Sequence, residues 1–422
     1  MNPVRLIAAN VLIRIPSAAT GQILAFVVAG HLSAQLGDRT GALLVGLLGA
    51  SFYVTELVGA PIAGRIADER GQVRILRWGP AFGVLAVCGA AAAAGGLGPG
   101  VMLALSLLVV RVVEGLSAAC AVPTTLALLS SASEAHPASR LRLMGAFEIA
   151  SLIGLIVGYV SAGVAWDALG AQALLPFAAV YGLAWLLLRG EPAVAPSPTS
   201  QTAVTPLRRS LRVLLRSPGV VPFILAWLAV NAVVGVWVQQ APYLLNLPAR
   251  SPAQSLVGGY SGTTIGWVFG AWAALFLTGI GLWSVLAPAW PRRRTLMISL
   301  GGMLAVVGAL ALVNHGASRA LLAVAAVGVL IESGFTPASF AHMADLTDTH
   351  GEARGMAMGI YSMLLGAGQL AGALVGAPVA AAWQMDGVLF ATAVLALFAL
   401  AAVARMTVIS AEPPAHQSRS ES

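Results

Sequence analysis

The sequence contains no lysine, few charged residues and only two cysteines. Charged residues make up 9% of the 422 residues, whereas about a quarter is usual in soluble globular domains. Hydrophobic residues make up 58%, and the mean hydropathy is +0.87. This composition excludes a soluble globular protein and predicts an integral membrane protein embedded in a lipid bilayer.

The missing residue types also exclude several function classes. Without lysine there is no phosphate-binding glycine loop, and the six histidines have no metal-ligand spacing. We therefore expect no enzyme activity, no cofactor and no metal. Cys88 and Cys120 lie inside apolar segments, where we expect small core residues rather than a disulfide framework. The net charge of +7 comes from arginines scattered over short loops, so we expect no nucleic-acid partner.

Apolar runs separated by turn residues predict an all-α membrane protein with twelve spanning helices. Each run is long enough to cross a bilayer, which needs about 20 residues. The predicted spans are 8–33, 41–66, 77–97, 101–130, 143–165, 172–189, 219–245, 263–287, 295–314, 319–343, 355–380 and 387–408.

The arginines predict the orientation. If the N-terminus is inside, eighteen of the 23 basic residues lie on the cytoplasmic side. Three lie in outer loops, namely Arg39, Arg250 and Arg319, and two lie within spans, namely Arg14 and Arg111. Because cytoplasmic loops carry the excess of positive charge, we expect a multi-pass protein of a bacterial-type inner membrane with both termini in the cytoplasm.

A Pro/Ser-rich segment divides the chain. It predicts a flexible linker, and the arginines and leucines of 207–217 predict either an interfacial amphipathic helix or a simple positive anchor. A shift of 214 residues aligns Pro123 with Pro337 and Arg140 with Arg354, as expected of parallel repeats. The predicted organisation is an N-terminal six-helix bundle (1–189), a cytoplasmic linker (190–218), a C-terminal six-helix bundle (219–408) and a tail (409–422).

The loop after the second span contains Gly64, Asp68, Gly71 and Arg74 in the spacing G-x-I-A-D-x-x-G-x-x-R. It resembles the loop between helices 2 and 3 of the major facilitator superfamily (MFS) of secondary transporters, although Glu69 replaces the usual basic residue. The resemblance implies two pseudo-symmetric six-helix bundles and alternating access. In such a loop the glycines permit close helix contact and a tight turn, and Asp68 latches one conformation against a helix N-terminus. The alternative is a solvated, positively charged turn.

Arg111, Glu114 and Gly115 resemble the helix 4 motif of the same family. Arg111 lies about 15 Å from the outer end of its span, near the midplane, and Glu114 shares its helix face. An arginine at that depth costs roughly 2.5–3.5 kcal/mol and needs a carboxylate or water. The pair either lines a transport cavity or is a self-neutralising structural pair.

Three further acids are candidates for proton coupling. Glu332 lies at a depth close to that of Glu114, and the resemblance places it across the central cavity from the pair. Glu148 lies nearer the cytoplasmic end, and Glu56 lies two turns before the loop of the second span. Each is either a titrating group or a structural acid bonded to a neighbouring helix.

Polar residues on the predicted cavity helices suit a varied or amphiphilic solute, or they bridge helices by hydrogen bonds. For Arg14, near the inner end of the first span, snorkelling to water is the alternative. The candidate cavity residues are Arg14, Gln22, Trp227, Asn231, Gln239 and Thr336.

Gly145, Gly154, Gly158 and Gly163 approach the glycine spacing of the family's antiporter signature, with Tyr159 in place of a proline. We therefore expect a monomeric, proton-coupled secondary transporter that exports a small amphiphilic compound or metabolite. One alternative is a proton-coupled symporter that imports a small, possibly anionic solute. A non-transporting membrane sensor or a lipid scramblase is the other.

Overall fold

The computed structural model describes residues 2–132, 137–190, 219–286, 290–348 and 354–406, with side chains described outside 130–142, 144 and 344–362. The predicted linker and tail, including the stretch 207–217, lie outside these residues. The described residues contain helices and no strand, which confirms the predicted all-α class.

The helices follow the predicted order. They are α1 (Pro3–Leu36), α2 (Asp38–Arg70), α3 (Gln72–Gly96), α4 (Val101–Ala132), α5 (Pro137–Leu169), α6 (Leu175–Arg189), α7 (Val220–Asn246), α8 (Gly262–Leu286), α9 (Arg292–Asn314), α10 (Leu321–Glu332 with Phe335–Asp348), and the element Arg354–Ala404. Gln384 breaks that last element with φ 53° and ψ −128°, so we call 354–383 α11 and 385–404 α12.

The described part of the chain has ten helices long and apolar enough to cross a membrane, and the shorter apolar helix α6. The tenth of these long helices contains both α11 and α12, which were predicted as separate spans. The turn between α2 and α3 needs a glycine, because Gly71 has a φ of 96° that residues with a side chain rarely adopt. The structure confirms a break between these two spans, but the predicted loop is too long. Helix α2 continues to Arg70 and α3 begins at Gln72, so Gly64, Asp68 and Arg74 lie on helices, because a helix can continue beyond the bilayer into water.

Helices α1 to α6 pack mainly among themselves, with α1 on α5 and α4 on both α2 and α3. In the other set, α7 packs along the α11–α12 element and α9 packs on α10. The main contacts between the two sets are α5 with α8 and α2 with α11.

Small residues permit these contacts between the two sets. A Cβ added at Gly163 of α5 would collide with the backbone of Gly262 in α8, and one added at Gly46 of α2 would collide with Ala377 of α11. Close approach of backbones at glycine and alanine is the usual device of membrane helix pairs.

One expected core residue lies elsewhere. Cys120 is buried, but Cys88 is exposed on the surface of α3. The prediction that both cysteines are core residues is therefore wrong for Cys88, because an apolar segment that spans a bilayer has a face turned outward to lipid as well as a packed face.

Candidate functional site

Arg111 and Glu114 form a buried ion pair on α4. Their side chains are 5% and 1% exposed, and Nη1 of Arg111 lies 2.5 Å from Oε2 of Glu114. Nε of Arg111 donates to the carbonyl of Leu48 in α2 at 3.3 Å, and the guanidinium lies 4.5 Å from the centre of the Phe52 ring. The pair is thus fixed against α2 by a hydrogen bond and a cation–π contact.

Glu56 lies beside this pair because α2 and α4 approach closely. A Cβ added at Gly115 would lie 2.7 Å from Cβ of Thr55 and 3.3 Å from the backbone nitrogen of Glu56. Arg14 and Arg111 both act electrostatically on the Glu56 carboxylate. Within the described residues, Glu56 forms no direct ion pair with either arginine.

Glu148 is brought to the same region by the packing of α1 on α5. Asn10 of α1 donates to Oγ of Ser151 at 2.9 Å, and one turn later Arg14 packs against Gly154. Glu148 lies on α5 just before Ser151, and its carboxylate interacts electrostatically with Arg14. Arg14 is half-buried, and whether it binds a solute or snorkels to water stays open as predicted.

Four helices therefore place two arginines and three glutamates in one region. We call this set the charged cluster, and its members are Arg14, Glu56, Arg111, Glu114 and Glu148. A small cavity lies beside it between α1, α4 and α6, with Arg14, Glu114 and Tyr181 in its lining. The cavity leaves about 10 Å³ for the centres of water molecules, close to the minimum that holds one water.

Two polar atoms at this cavity lack a protein partner among the described residues. They are Oε1 of Glu114 and Nε of Arg14, and both atoms are fully buried. Buried polar atoms normally have a hydrogen-bond partner, and a bound water is the usual one where protein groups do not supply it. A water in the cavity would give Glu114 a second partner opposite Arg111.

Glu332 lies apart from the charged cluster, at the end of the first segment of α10. The C-terminal helix α8 packs on α10 in this region. A Cβ added at Gly302 of α9 would lie 2.8 Å from the backbone nitrogen of Glu332. One helical turn further, Thr336 is half-buried. Glu332 is thus held within the C-terminal helices.

Three of the expected cavity residues bond or pack within their own set of helices. Gln22 is 1% exposed and donates from Nε2 to the carbonyl of Tyr159 at 3.3 Å, which joins α1 to α5. Asn231 donates to the carbonyl of Trp227 at 2.9 Å, one turn back on α7. The Trp227 ring stacks on Phe335 with centroids 5.9 Å apart. In this conformation these residues bridge or fill helix contacts.

Gln239 lies where α7 meets α2. Its side chain packs on Gly49 of α2. The next residue, Gln240, donates from Nε2 to the carbonyl of Ala42 at 3.2 Å. These amides join the two sets of helices.

Hydrogen bonds join the two sets of helices at one end of the molecule, which is the outer end according to the distribution of arginines. The Tyr243 hydroxyl lies 2.8 Å from Oγ of Ser33 and donates to the carbonyl of Asp38 at 2.8 Å. Asp167 of α5 accepts from the backbone N–H groups of Gly262 and Thr263 at 2.9 and 2.8 Å, at the start of α8. A π-helical turn, Val28–Leu32, precedes Ser33 in α1.

Within the described residues, the hydrogen bonds that join α1–α6 to α7–α12 all lie in the outer half. Among the residues whose side chains are described, the inner part of α2 takes part in no such bond, and Asp68 of α2 and Arg74 of α3 are exposed. Gly64 has open space around its Cα, since a Cβ there would meet no atom within 4 Å. The latch role of Asp68, together with Gly64, Gly71 and Arg74, stays a prediction.

Solved structures share this fold. A variant of the nucleoside transporter NupG is 13% identical, with a TM-score of 0.74 over 96% of this chain and 99% of that one. A D-xylose-proton symporter is 16% identical, with a TM-score of 0.73 over 96% of both chains. The inward open conformation of the xylose transporter XylE from E. coli is 15% identical, with a TM-score of 0.69 over 96% of this chain and 95% of that one.

Sequence comparison settles the family. No curated protein sequence matches the chain significantly. The sequence profile of the Major Facilitator Superfamily matches residues 11–258 and 252–422, nearly the whole length. The chain therefore belongs to the Major Facilitator Superfamily of membrane transporters.

Proposed function

We propose that the protein is a proton-coupled secondary active transporter that exports a small amphiphilic solute by alternating access. The observation that carries this proposal is the charged cluster, which gathers five ionisable side chains from four helices inside the membrane. Charges at that depth cost several kcal/mol unless they are paired or hydrated, and they mark ion and proton pathways. We further propose that it acts as a monomer in the cytoplasmic membrane, with both termini inside.

The arrangement of acids and arginines supports coupling to protons. An arginine stabilises a nearby carboxylate as the anion, and a buried carboxylate without such a neighbour binds a proton. A change in the distance between Arg14 and Glu56 or Glu148 would therefore change the number of protons that the cluster holds. Glu332, which packs against Gly302 of α9, is a second candidate in the C-terminal helices.

The position of the contacts supports alternating access. The bonds of Tyr243 and Asp167 join the two sets of helices on the outer side, while Asp68 and Glu69 at the inner end of α2 are exposed. This is the arrangement expected of an inward-facing transporter. Rocking on the α5–α8 and α2–α11 contacts would break the outer bonds and close the inner ends.

The partial antiporter glycines favour export. Cβ atoms added at Gly154 and Gly158 would collide with α1, which contains Arg14, so α1 is held directly on α5. Proton-driven import is the second candidate function, and the structural likeness to a D-xylose-proton symporter favours it.

Reconstituted protein tests the proposal. Proteoliposomes with an imposed pH gradient are expected to show proton flux that depends on a transported solute, and the direction of solute movement distinguishes exporter from symporter. Glu114→Gln and Glu332→Gln are expected to reduce the coupled flux, and Glu69→Gln, at the exposed end of α2, serves as the control. Unchanged coupled flux in both cavity variants would contradict the assignment of these acids, and solute flux that never moves protons would contradict proton coupling.

A further inference from the structure

Helix α9 begins with three consecutive arginines, at the end of the molecule opposite the outer hydrogen bonds. They are Arg292, Arg293 and Arg294, and no acidic residue lies in the first turn of the helix. The N–H groups at a helix N-terminus already carry a partial positive charge, so basic side chains there are unfavourable. Pro291, which precedes the arginines, supplies no side-chain cap. The start of α9 therefore lacks the negative charge that usually stabilises such a helix end.

Arg293 joins the start of α9 to the end of α12. Its Nη2 donates to the carbonyl of Ala404 at 2.6 Å, while its Nε is fully buried and has no hydrogen-bond partner among the described residues. Arg294, the next residue of α9, and Arg405, the next residue of α12, therefore lie on adjoining helix ends, and both are exposed. The Arg294 guanidinium lies 4.8 Å from the centre of the Trp290 ring, in a cation–π contact. We call Trp290, Arg293, Arg294 and Arg405 the basic site.

No acidic side chain neutralises the basic site within the described residues. Its three arginines form no ion pair there. The sequence also contains no aspartate or glutamate in 287–294 or in 387–411. Because like charges on adjoining helix ends repel one another, an anion bound between them would stabilise this part of the protein.

The corresponding region of the first six helices is balanced differently. There Arg77 of α3 donates to the carbonyls of Leu188 and Arg189 at the end of α6, at 3.1 Å each. Asp68 and Glu69 lie just before the start of α3 and supply negative charge. Two acids thus accompany the arginines of that region, whereas none accompanies the arginines of the basic site in the described residues.

Apolar surface borders the basic site on the side of the membrane. A buried apolar cluster packs α9 on α12, but Met297, one turn after Arg294, is exposed. Leu397 and Phe398, about two turns before Arg405, are exposed as well. Gly301 leaves open space on α9, since an added Cβ would meet no atom within 4 Å there. A charged site beside such a surface suits an amphiphilic anion with acyl chains.

We propose that the basic site binds the phosphate of an anionic phospholipid, whose acyl chains lie along the exposed faces of α9 and α12. Basic pockets between membrane helices on the cytoplasmic side attract anionic headgroups. A tryptophan at the same level, here Trp290, is typical of the membrane–water interface. Lipid binding at this site depends on neither the transported solute nor the coupling ion, so it can fail while the proposed function stands.

Native mass spectrometry of the purified full-length protein tests the proposal. The protein in neutral detergent is titrated with phosphatidylglycerol, with phosphatidylcholine of the same acyl chains, and with inorganic phosphate. We expect phosphatidylglycerol to bind more tightly than phosphatidylcholine, and we expect inorganic phosphate at the same concentration not to displace it. Equal affinities for the two lipids would overturn the proposal, and displacement by phosphate would identify a site for the free ion instead.

Two double variants that remove the same charge locate the site. Arg294→Gln with Arg405→Gln is expected to weaken phosphatidylglycerol binding roughly 25-fold, about fivefold for each arginine, and unchanged phosphatidylcholine binding shows that the fold is intact. Arg39→Gln with Arg319→Gln, at exposed arginines of the opposite end, is expected to keep the wild-type affinity. Equal losses in both double variants would contradict a localised site. Much tighter lipid binding in Glu412→Gln would identify the chain's own tail as the occupant and would also overturn the proposal.

Discussion

Removal of the Tyr243 hydroxyl directly tests what keeps the outer side closed. This hydroxyl, on α7, forms hydrogen bonds with α1 and with the start of α2, which belong to the other set of helices. Tyr243→Phe keeps the buried ring and removes the 2.8 Å contacts to Ser33 and to the carbonyl of Asp38. A typical hydrogen bond contributes about 0.5–1.5 kcal/mol net, so the two together contribute about 1–3 kcal/mol. Since these bonds exist only when the outer side is closed, their loss should shift the equilibrium toward the outward-facing state by roughly 5- to 150-fold.

Pulsed electron resonance distances measure this shift. Spin labels at Arg39→Cys and Arg319→Cys, in a Cys88→Ala and Cys120→Ala background, report the separation of the two outer ends, where both arginines are exposed. We expect Tyr243→Phe to increase the population with the longer distance.

Tyr260→Phe is the matched control. The Tyr260 hydroxyl donates to the carbonyl of Ser255 at 2.8 Å within the same outer loop, so its loss breaks no bond between the two sets of helices. If Tyr243→Phe gives the same distance distribution as Tyr260→Phe, the outer hydrogen bonds do not hold the closed state and the reasoning is refuted.

Three further outcomes follow from contacts in the structure. Gly163→Ala should lower the free energy of unfolding by about 1–3 kcal/mol, measured by thermal unfolding, because the new methyl group collides with the α8 backbone. The control Gly145→Ala should not lower it, because a methyl group there meets no atom within 4 Å. Equal effects of the two variants would contradict the close contact. Asp167→Asn should cost about 0.3–1 kcal/mol in the same assay through loss of charge at the α8 N-terminus, and an unchanged melting curve would count against it. Arg111→Lys should slow coupled flux roughly tenfold although it keeps a positive charge beside Glu114, because lysine cannot form the Nε hydrogen bond to the Leu48 carbonyl or place a planar guanidinium on the Phe52 ring. Coupled flux equal to that of the wild-type protein would show that the charge alone is sufficient.

The fold was largely predictable from local patterns. Apolar run length and turn residues such as Gly71 identify helices without any knowledge of how they pack. The boundary between α11 and α12 was predicted as a loop, whereas the structure has a break at a single residue, Gln384. A break of one residue leaves almost no polar stretch in the sequence, so composition alone cannot distinguish it from a short loop.

The site was predictable only where it is local. Arg111 and Glu114 are three residues apart on one helix, so helical geometry predicts their pairing. Arg14 and Glu148 lie in one region because α1 packs on α5, and nothing in either segment indicates which helix faces its neighbour. The packing of Glu332 against Gly302 of α9 likewise depends on how the C-terminal helices assemble.

Solute-driven proton movement tests proton coupling most directly. Proteoliposomes are loaded with tetraphenylphosphonium at equal internal and external pH, with the membrane potential clamped, and a trapped dye reports the internal pH. The account predicts that outward flow of this amphiphilic cation acidifies the lumen, because protons enter as the solute leaves, and that Glu114→Gln reduces this change. Cation flow through the wild-type protein at constant internal pH would contradict proton-coupled transport by this chain.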